Sequence, residues 1–246
     1  MFSLRALSDR SVTDVVVPVE NGTPAMPAIL FGSISTVADT SELQRKAFND
    51  AFAAHGLDWS WDRDDYRALL TSSGGRSRVA EYADSRSETV DADAVHQTKS
   101  ALFQEELAGA DLEPRAGVVD AIRSAKSLGW KVGLVTTTSG ANVAALLEAV
   151  GPHLSADDFD VVVDVTDVEQ PKPDQEAYTF ALHALGETAD RCVAIEDNVG
   201  GVQAAVAAGL TCVAFPNENT ADHDFADAER RIDRVDVADL KNLNAA

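Results

Sequence analysis

The hydrophobic residues of this 246-residue chain follow two kinds of pattern. From residue 113 onward, short apolar runs alternate with segments whose apolar residues recur every three or four positions, which predicts buried strands that alternate with helices. Such units form a parallel sheet covered by helices on both faces. The strand runs are WKVGLVTTT, FDVVVDV, RCVAIED and TCVAFP, and the helical segments are GANVAALLEAV, DQEAYTFALHALG and GGVQAAVAAG.

An earlier apolar run, AILF, begins at residue 28 and predicts one more buried strand, which passes through a polar turn into an amphipathic helix. Between residues 41 and 112, no convincing strand separates four segments of helical periodicity. This part predicts a small helical bundle with Trp59 and Trp61 in its core. The four segments are SELQRKAFNDAFAAHG, DRDDYRALLTS, GRSRVAEYAD and DADAVHQTKSALFQEELAGA.

These patterns predict an α/β fold in which a parallel-sheet core carries an inserted helical cap. We assign residues 26–40 and 113–246 to the core and residues 41–112 to the cap. Residues 1–25 precede MPAILFGS and form an extension of uncertain relevance, although VTDVVVPV within it could add an edge strand.

The composition limits the possible partners. A formal net charge of −21 repels nucleic acids and anionic membranes, so any anionic ligand needs a local positive pocket. No run approaches a membrane span, and no secretory signal is evident. Cys192 and Cys212 lie in apolar segments without metal-ligand spacing, which favours a reduced cytoplasmic protein. The oligomeric state stays open, with a monomer slightly favoured.

Ligands of parallel sheets bind beyond the carboxyl ends of the strands, which here read LFGSIST, LVTTTS, DVTDVEQPKP and AIEDNVGG. With these ends in this order around a helical insert, the chain resembles the haloacid dehalogenase superfamily, in its branch of β-phosphoglucomutase-like and CbbY-like phosphatases. The resemblance covers residues 26 to about 240. Its most specific matches are TTTSGANV, KPDQEAY, CVAIEDNVGGVQAAVAAG and the cap loop GGRSR.

The resemblance implies a Rossmann-like core and a catalytic pair of aspartates at the end of the first strand. In this superfamily the first Asp attacks phosphorus and binds Mg²⁺, and the second, two residues later, acts as general acid and base. Aligning FGSISTVADT with the family pattern FDLDGTLVDT places Gly32 at the nucleophile and Ile34 at the acid/base position. Ordinary aspartyl-phosphate chemistry is therefore not possible with the residues present.

The resemblance implies that other groups of the phosphate site are retained. Thr136 matches the hydroxyl that binds a phosphoryl oxygen, and Lys172 matches the lysine that neutralises phosphate charge. Glu196 and Asp197 match the acidic pair that binds Mg²⁺, with weakened or lost affinity because the first-strand carboxylate is missing. Two alternatives stay open: Lys172 could be solvated in its Pro-rich turn, and the acidic pair could cap the helix that begins near Asn198.

The cap loop implies a substrate-binding role for Gly74, Gly75, Arg76 and Arg78, whose basic groups reach a distal group of the substrate in the family. Arg76 and Arg78 could instead be surface arginines. Ser41 and Gln44 stand where family members tend to have Glu and His. From TTTSGANV, Thr137 and Asn142 join the substrate-binding candidates.

Three hypotheses follow. The first is a protein that binds a small phosphorylated, sugar-phosphate-like metabolite and hydrolyses it slowly or not at all. The second is an active Mg²⁺-dependent phosphohydrolase that uses metal-bound water, Ser33 or Ser35. The third is a non-catalytic regulatory or interaction module. His223, in NENTADHDF, is the one histidine near a strand end of the core and is expected to be a surface residue.

Overall fold

A computed structural model describes residues 27–71, 74–241 and 243 of the chain. The N-terminal extension and its possible edge strand, VTDVVVPV, lie outside the described residues. The core is a six-stranded parallel sheet with the strand order β3-β2-β1-β4-β5-β6. The α/β parallel-sheet prediction is thus confirmed. The strands are β1 (Ala28–Phe31), β2 (Lys131–Val135), β3 (Val161–Val163), β4 (Cys192–Glu196), β5 (Thr211–Ala214) and β6 (Arg230–Arg231).

The central strands are almost entirely apolar because helices cover both faces of the sheet. In β1, Ile29 and Phe31 enter the hydrophobic cluster on one face, whereas Ala28 and Leu30 enter the cluster on the other. The first face packs against α6 (Val118–Ser127), α7 (Gly140–Ala149) and α10 (Val237–Lys241), and the second against α8 (Glu176–Leu185) and α9 (Val199–Ala207).

Three details differ from the predicted elements. The turn after β1 contains a short helix, α1 (Ile34–Val37), capped by the side chain of Ser33, which accepts from Thr36 N–H. The predicted strand FDVVVDV is shorter in the structure, because Asp164 ends it by accepting from Thr166 N–H at 2.7 Å and capping a 3₁₀ turn. The two-residue strand β6 has no counterpart among the predicted elements.

Four helices form the predicted bundle between the first two strands. Their shared core is aromatic: Phe52 and Trp61 meet edge to face with ring centroids 4.6 Å apart, and Trp59 and Trp61 are both buried, as predicted. The division at residues 40/41 and 112/113 stays a prediction. The helices are α2 (Ser41–Ala54), α3 (Arg63–Leu69), α4 (Gly75–Ser85) and α5 (Ala92–Ala108).

In the part of the chain that the structure describes, no helix combines the length and the apolar character needed to cross a bilayer.

Candidate functional site

The candidate site lies at the carboxyl ends of three neighbouring strands. Strand β1 pairs with β2 on one side and with β4 on the other, so the residues that follow them are adjacent. These residues are Gly32 after β1, Thr136 after β2, and Glu196 and Asp197 at the end of β4. The topology therefore brings the predicted strand-end motifs to one edge of the sheet, where parallel sheets bind ligands.

At Gly32, a neighbouring side chain fills the space that a catalytic side chain would need. A β-carbon built on Gly32 would lie 2.1 Å from Cδ of Glu196 and 2.5 Å from the hydroxyl oxygen of Tyr178. Non-bonded carbon atoms do not approach so closely, so no larger residue fits while Glu196 keeps this conformation. The backbone is regular, since the Gly32 N–H donates to Ile195 O at 2.8 Å.

Lys172 is at the centre of a buried polar cluster. Its Nζ donates to Gly32 O at 2.5 Å, to Val135 O at 2.6 Å and to Glu196 Oε1 at 2.7 Å. An ammonium group has three protons, so all of its donors are used inside the protein. Only 6% of Lys172 is exposed, which excludes the alternative that it is solvated.

Glu196 is fully buried between Lys172 and Tyr178. The Tyr178 hydroxyl donates to Oε1 at 2.7 Å, whereas Oε2 has no hydrogen-bond partner among the described residues. Burial raises the pKa of Glu196, although the positive charge of Lys172 acts to lower it. Burial also raises the pKa of Tyr178, so its hydroxyl stays a neutral donor. The ion pair neutralises the charge of Lys172 within the protein.

The Asp197 carboxylate accepts hydrogen bonds from four side chains. Oδ1 accepts from Ser33 Oγ at 2.6 Å, Thr36 Oγ1 at 3.3 Å and Asn198 Nδ2 at 3.2 Å. Oδ2 accepts from Asn217 Nδ2 at 2.9 Å. These donors hold the carboxylate in place and stabilise its negative charge.

Haloacid dehalogenase-like hydrolases generally use Mg²⁺, but the residues present here do not fit a magnesium site. Mg²⁺ needs oxygen ligands in octahedral geometry, commonly one or two carboxylates with water. Here Oε1 of Glu196 accepts from an ammonium group and a hydroxyl, Asp197 accepts from four donors, and Gly32 supplies no carboxylate. Across residues 27–71, 74–241 and 243, no three His, Cys, Asp or Glu side chains gather where a metal ion could be held.

The alternative that the acidic pair caps a helix is also not observed. Helix α9 begins after Asn198, whose side chain accepts from Gly201 N–H at 2.8 Å. Asn198 is therefore the cap, and Glu196 and Asp197 remain part of the strand-end cluster.

Three residues that follow Gly32 were singled out from the sequence, and they differ in their surroundings. Ile34, at the predicted acid/base position, is buried in the apolar cluster of the core. Ser35 Oγ lies 2.7 Å from Thr40 Oγ1 and accepts from Gln44 Nε2 at 3.3 Å, so this hydroxyl is buried in a cap-facing contact. Ser33 is half-buried, and its bond to Asp197 makes it the better placed of the two serines.

The loop after β2 and the first turn of α7 contain three of the predicted ligand-binding residues. Thr136 is buried, and its Oγ1 accepts from Thr138 N–H at 3.2 Å. Thr137 is half-buried. Asn142 donates to Thr138 Oγ1 at 2.8 Å and accepts from Gln104 Nε2 of the cap helix α5 at 2.9 Å. The buried Asn142 thus links this loop to the cap.

The two arginines of GGRSR differ in their surroundings. Arg76 is exposed and pairs with Asp93, with Nη2 and Oδ2 2.9 Å apart, as expected of a surface arginine. Arg78 is 7% exposed, donates from Nε to Leu69 O at 2.8 Å, and lies over the ring of Phe48 with its Cζ 6.0 Å from the centroid. Of the two arginines, only Arg78 adds a buried positive charge to the cap.

The two glycines precede these arginines. Gly74 has a positive φ of 94°, which favours glycine, and comes directly before α4. A β-carbon on Gly75 would lie 2.7 Å from Nε2 of His96, so glycine allows the close approach of α4 and α5. Their predicted contact with a ligand stays a prediction.

The sequence interpretation missed one basic residue of the cap, Lys99 in α5. Its Nζ donates to Gln44 Oε1 at 3.1 Å and lies 4.8 Å from the ring centroid of Phe48 and 4.7 Å from that of Phe103. A signal was available: Lys99 interrupts the buried stripe Val95, Lys99, Phe103 and Leu107, whose members are four residues apart.

His223 is not the surface residue that the sequence suggested. It is half-buried between core and cap, with Nε2 3.0 Å from Arg67 O of α3, while Nδ1 is buried without a partner among the described residues. Its loop also joins the cap through Asn219, whose Nδ2 donates to Glu42 Oε1 at 2.7 Å. The loop that supplies Asn217 to Asp197 therefore also contacts α2 and α3.

A family model of haloacid dehalogenase-like hydrolases matches residues 26–209. The chain belongs to this family. It is 40% identical over 212 residues to protein CbbY of Cereibacter sphaeroides, covering 84% of this chain and 91% of the relative. Protein CbbY of Rhodobacter capsulatus is 37% identical over 217 residues, covering 87% of this chain and 95% of the relative. The sequence-derived family assignment is thus confirmed.

Solved structures agree with this assignment. A crystal structure of CbbY from Rhodobacter sphaeroides in complex with phosphate has a TM-score of 0.78 and 38% identity, covering 85% of this chain and 95% of that one. A mutant of the same protein, in complex with xylulose-(1,5)-bisphosphate, matches equally well. A β-phosphoglucomutase from Clostridium difficile, at 18% identity and a TM-score of 0.73, shares the fold.

Proposed function

We propose that this protein binds a small phosphorylated metabolite, of sugar-phosphate type, between the strand ends and the cap, and hydrolyses it slowly or not at all. The observation that carries this proposal is the replacement at Gly32. The nucleophile position has no side chain, and Glu196 fills its space in an ion pair with Lys172. Glu196 is fully buried in that pair and cannot itself reach a ligand.

The lost groups perform the two steps of the family chemistry. A nucleophile must attack phosphorus, and an acid must protonate the leaving oxygen. Gly32 and Ile34 offer neither, and removal of such groups from hydrolases commonly lowers kcat by several orders of magnitude, to about 10⁻⁶ of its value in one well-studied case. The remaining polar residues of the site can hold and orient a ligand, but they supply neither of these two groups.

The ligand class rests on the relatives. CbbY of Rhodobacter sphaeroides has been crystallised with phosphate and with xylulose-(1,5)-bisphosphate. With 38% identity over 85% of this chain, that protein supports a sugar mono- or bisphosphate as the ligand here. Thr136, buried at the end of β2, is our candidate for a contact with the phosphoryl oxygens, and Arg78 is our candidate on the cap side.

A second candidate function is an esterase-like or phosphatase-like activity of Ser33. The Ser33 hydroxyl donates to Asp197 Oδ1 at 2.6 Å, so a carboxylate stands ready to accept its proton. Ser35 is less suitable, because its hydroxyl is buried against Thr40.

One assay separates these functions. We would measure phosphate release from a panel of sugar and small-metabolite phosphates at high protein concentration, for the wild type, Ser33→Ala and Asp197→Ala. Background release from all three supports our proposal. Turnover by the wild type that is lost in Ser33→Ala would replace it with the serine mechanism. A CbbY relative, assayed in parallel, shows that the panel contains hydrolysable substrates.

We also propose a reducing, cytoplasmic location. Cys192 and Cys212 are both buried and free, and burial raises the pKa of the Cys192 thiol to about 11. Both thiols are therefore unreactive core residues, which suits a compartment that keeps cysteines reduced.

A further inference from the structure

The loop after β5 packs between the core and the cap. It comprises residues 215–223, and we call it the latch loop. Asn217, Asn219 and Thr220 are all buried, although loops of polar residues normally lie in water. Oδ1 of Asn217 accepts from the N–H groups of Asn219 and Thr220 at 2.9 Å and 3.1 Å. These side-chain bonds to the backbone give the loop a defined shape.

One side of the latch loop is attached to the strand-end carboxylate of Asp197. Asn217 Nδ2 donates to Oδ2 of Asp197 at 2.9 Å, and Thr220 Oγ1 donates to its main-chain oxygen at 2.7 Å. The two loop residues are also joined to each other, since Asn217 N–H donates to Thr220 Oγ1 at 3.0 Å. The loop therefore belongs to the core side of the site.

The first residues of the latch loop are held by the segment that connects the cap to the core. Arg115 lies between α5 and α6 and donates to the main-chain oxygens of Phe215, at 2.7 Å, and of Pro216. It also donates to Ser35 O of α1 at 3.2 Å, and its Cζ lies 3.5 Å from the ring centroid of Phe215. These contacts keep the start of the loop in place when the cap moves.

The other side of the latch loop binds two helices of the cap. Asn219 is fully buried, and its Nδ2 donates to Glu42 Oε1 of α2 at 2.7 Å. Its Oδ1 accepts from Arg63 Nε of α3 at 3.1 Å. His223 adds a contact to the same helix, because its Nε2 lies 3.0 Å from Arg67 O. One buried amide group thus connects the loop to both α2 and α3.

Two ion pairs lie around this connection, Arg63 with Glu218 and Arg67 with Asp222. Glu218 and Asp222 are exposed, so water and salt screen their charges and each pair contributes little. The amide of Asn219 differs, because its hydrogen bonds are shielded from water while cap and core are in contact. Water replaces these bonds when the cap separates, so the net cost of breaking them is modest and the contact is reversible.

We propose that the latch loop holds the cap closed over the strand ends, and that release of Asn219 from Glu42 and Arg63 opens the site to a ligand. Because Asn217 attaches the same loop to Asp197, the cap is fixed above that carboxylate while the latch is intact. This inference goes beyond the proposed function, since it concerns the movement of the cap and holds for any ligand.

Cap opening is measured by single-molecule fluorescence energy transfer between two dyes. The native thiols of Cys192 and Cys212 are buried, so dyes attach selectively to introduced surface cysteines. Asp65→Cys in the cap helix α3 and Gln203→Cys in the core helix α9 are both at exposed positions. In this labelled parent protein we expect one main population at short distance, which corresponds to the closed cap.

Asn219→Ala in the labelled parent removes both bonds of the amide to the cap. We expect the ratio of open to closed molecules to rise about tenfold, the factor that corresponds to the net contribution of one to two hydrogen bonds. Arg63→Gln, at a partly exposed position, removes a bond to Asn219 and the pair with Glu218, and should raise the ratio about threefold. Asp224→Ala is the control, because Asp224 is exposed and next to the latch loop.

Three results would overturn the inference: unchanged distances in both latch variants, an equal change in Asp224→Ala, or a parent protein that is already mostly open. Urea unfolding of Asn219→Ala verifies that it folds, and Arg63→Gln tests the latch from the cap surface. The experiment contains no ligand, so its failure leaves the proposed phosphate-ester binding standing, and a failure to detect that binding leaves the latch standing.

Discussion

Gly32 and Glu196 occupy the same space: a β-carbon on Gly32 would meet Cδ of Glu196 at 2.1 Å. Glu196 therefore occupies the space that a side chain at position 32 would need, and it pairs with Lys172 in a buried cluster. An aspartate introduced at position 32 would have to displace the Glu196 side chain from two hydrogen bonds.

This relationship predicts the outcome of a double-mutant cycle. Gly32→Asp alone should destabilise the protein by about 1–3 kcal/mol, because the new side chain overpacks the cluster. Glu196→Ala alone should cost about 3–5 kcal/mol, because it leaves Lys172 buried without its partner. In the double variant the introduced aspartate can replace Glu196 as the partner of Lys172, so the combined loss should be smaller than the sum.

Urea unfolding of the four proteins measures this coupling. If the losses in the free energy of unfolding of the two single variants add up to that of the double variant, the two side chains do not compete for one location. Gly32→Ala with the same loss as Gly32→Asp would show that space, and not charge, sets the cost.

The Tyr178 hydroxyl is predicted to stabilise the Lys172–Glu196 pair. Tyr178→Phe removes its bond to the Glu196 carboxylate, so we expect a loss of about 1.5–3 kcal/mol in the free energy of unfolding. Tyr82→Phe is the matched control, because Tyr82 is only half-buried and packs in the aromatic cap cluster. Equal unfolding free energies for the two variants would contradict the role given to Tyr178.

Asn217 is predicted to prevent cation binding at Asp197. Its Nδ2 donates to Oδ2 of Asp197 at 2.9 Å, and Asn217→Asp would place a second carboxylate there. We expect this variant to have a lower Tm in EDTA, because like charges repel, and to regain stability in millimolar Mg²⁺. Thermal unfolding of wild type and variant with and without Mg²⁺ measures the effect. A wild type that responds as strongly as the variant would argue that Asp197 already binds the ion.

The pH dependence of stability should carry the signature of Lys99. Its pKa is lowered from 10.5 in the unfolded chain to about 7 in the folded protein. Between these values the unfolded state binds more protons, so this residue makes stability rise as the pH rises from 7. Gln44, His96 and Arg78 face the amine, and none of them titrates in this window in the opposite direction.

Lys99→Met removes that dependence. We expect the variant to be more stable than wild type at pH 7 and this advantage to shrink by up to about 2 kcal/mol by pH 9. Urea unfolding at three pH values measures it, with Lys126→Met as the exposed control. Parallel pH profiles for wild type and Lys99→Met would show that Lys99 stays fully charged in the folded protein.

Much of the fold was predictable because apolar runs and helical periodicity are strong local signals. Strand β1 and the β4 run CVAIE are buried on both faces and therefore almost continuously apolar. The two-residue strand β6, with exposed Arg230 and Arg231, carries no such signal. The half-buried position of His223 depends on the cap and could not be inferred from its own polar segment.

The sequence indicated which strand-end residues lie near one another, but it did not indicate their contacts. Lys172 and Glu196 were both expected at the strand ends, one for phosphate and one for a metal ion. The structure pairs them with each other, because Gly32 has no side chain and leaves room for Glu196 beside the ammonium group. Such a pairing depends on three-dimensional packing, which sequence spacing does not encode. The sequence interpretation did not include Lys99, because its position in α5 follows the spacing of buried core residues.

The most direct test of the central claim is a ³¹P NMR experiment that observes binding and hydrolysis in one sample. Xylulose-(1,5)-bisphosphate is incubated with equimolar protein and Mg²⁺ for a day. We predict shifted or broadened ligand resonances, which report binding, without growth of the inorganic phosphate signal above that of a protein-free sample. Steady growth of inorganic phosphate, proportional to protein concentration and absent with Asp197→Ala, would contradict the account and show that the site has retained catalysis by another route.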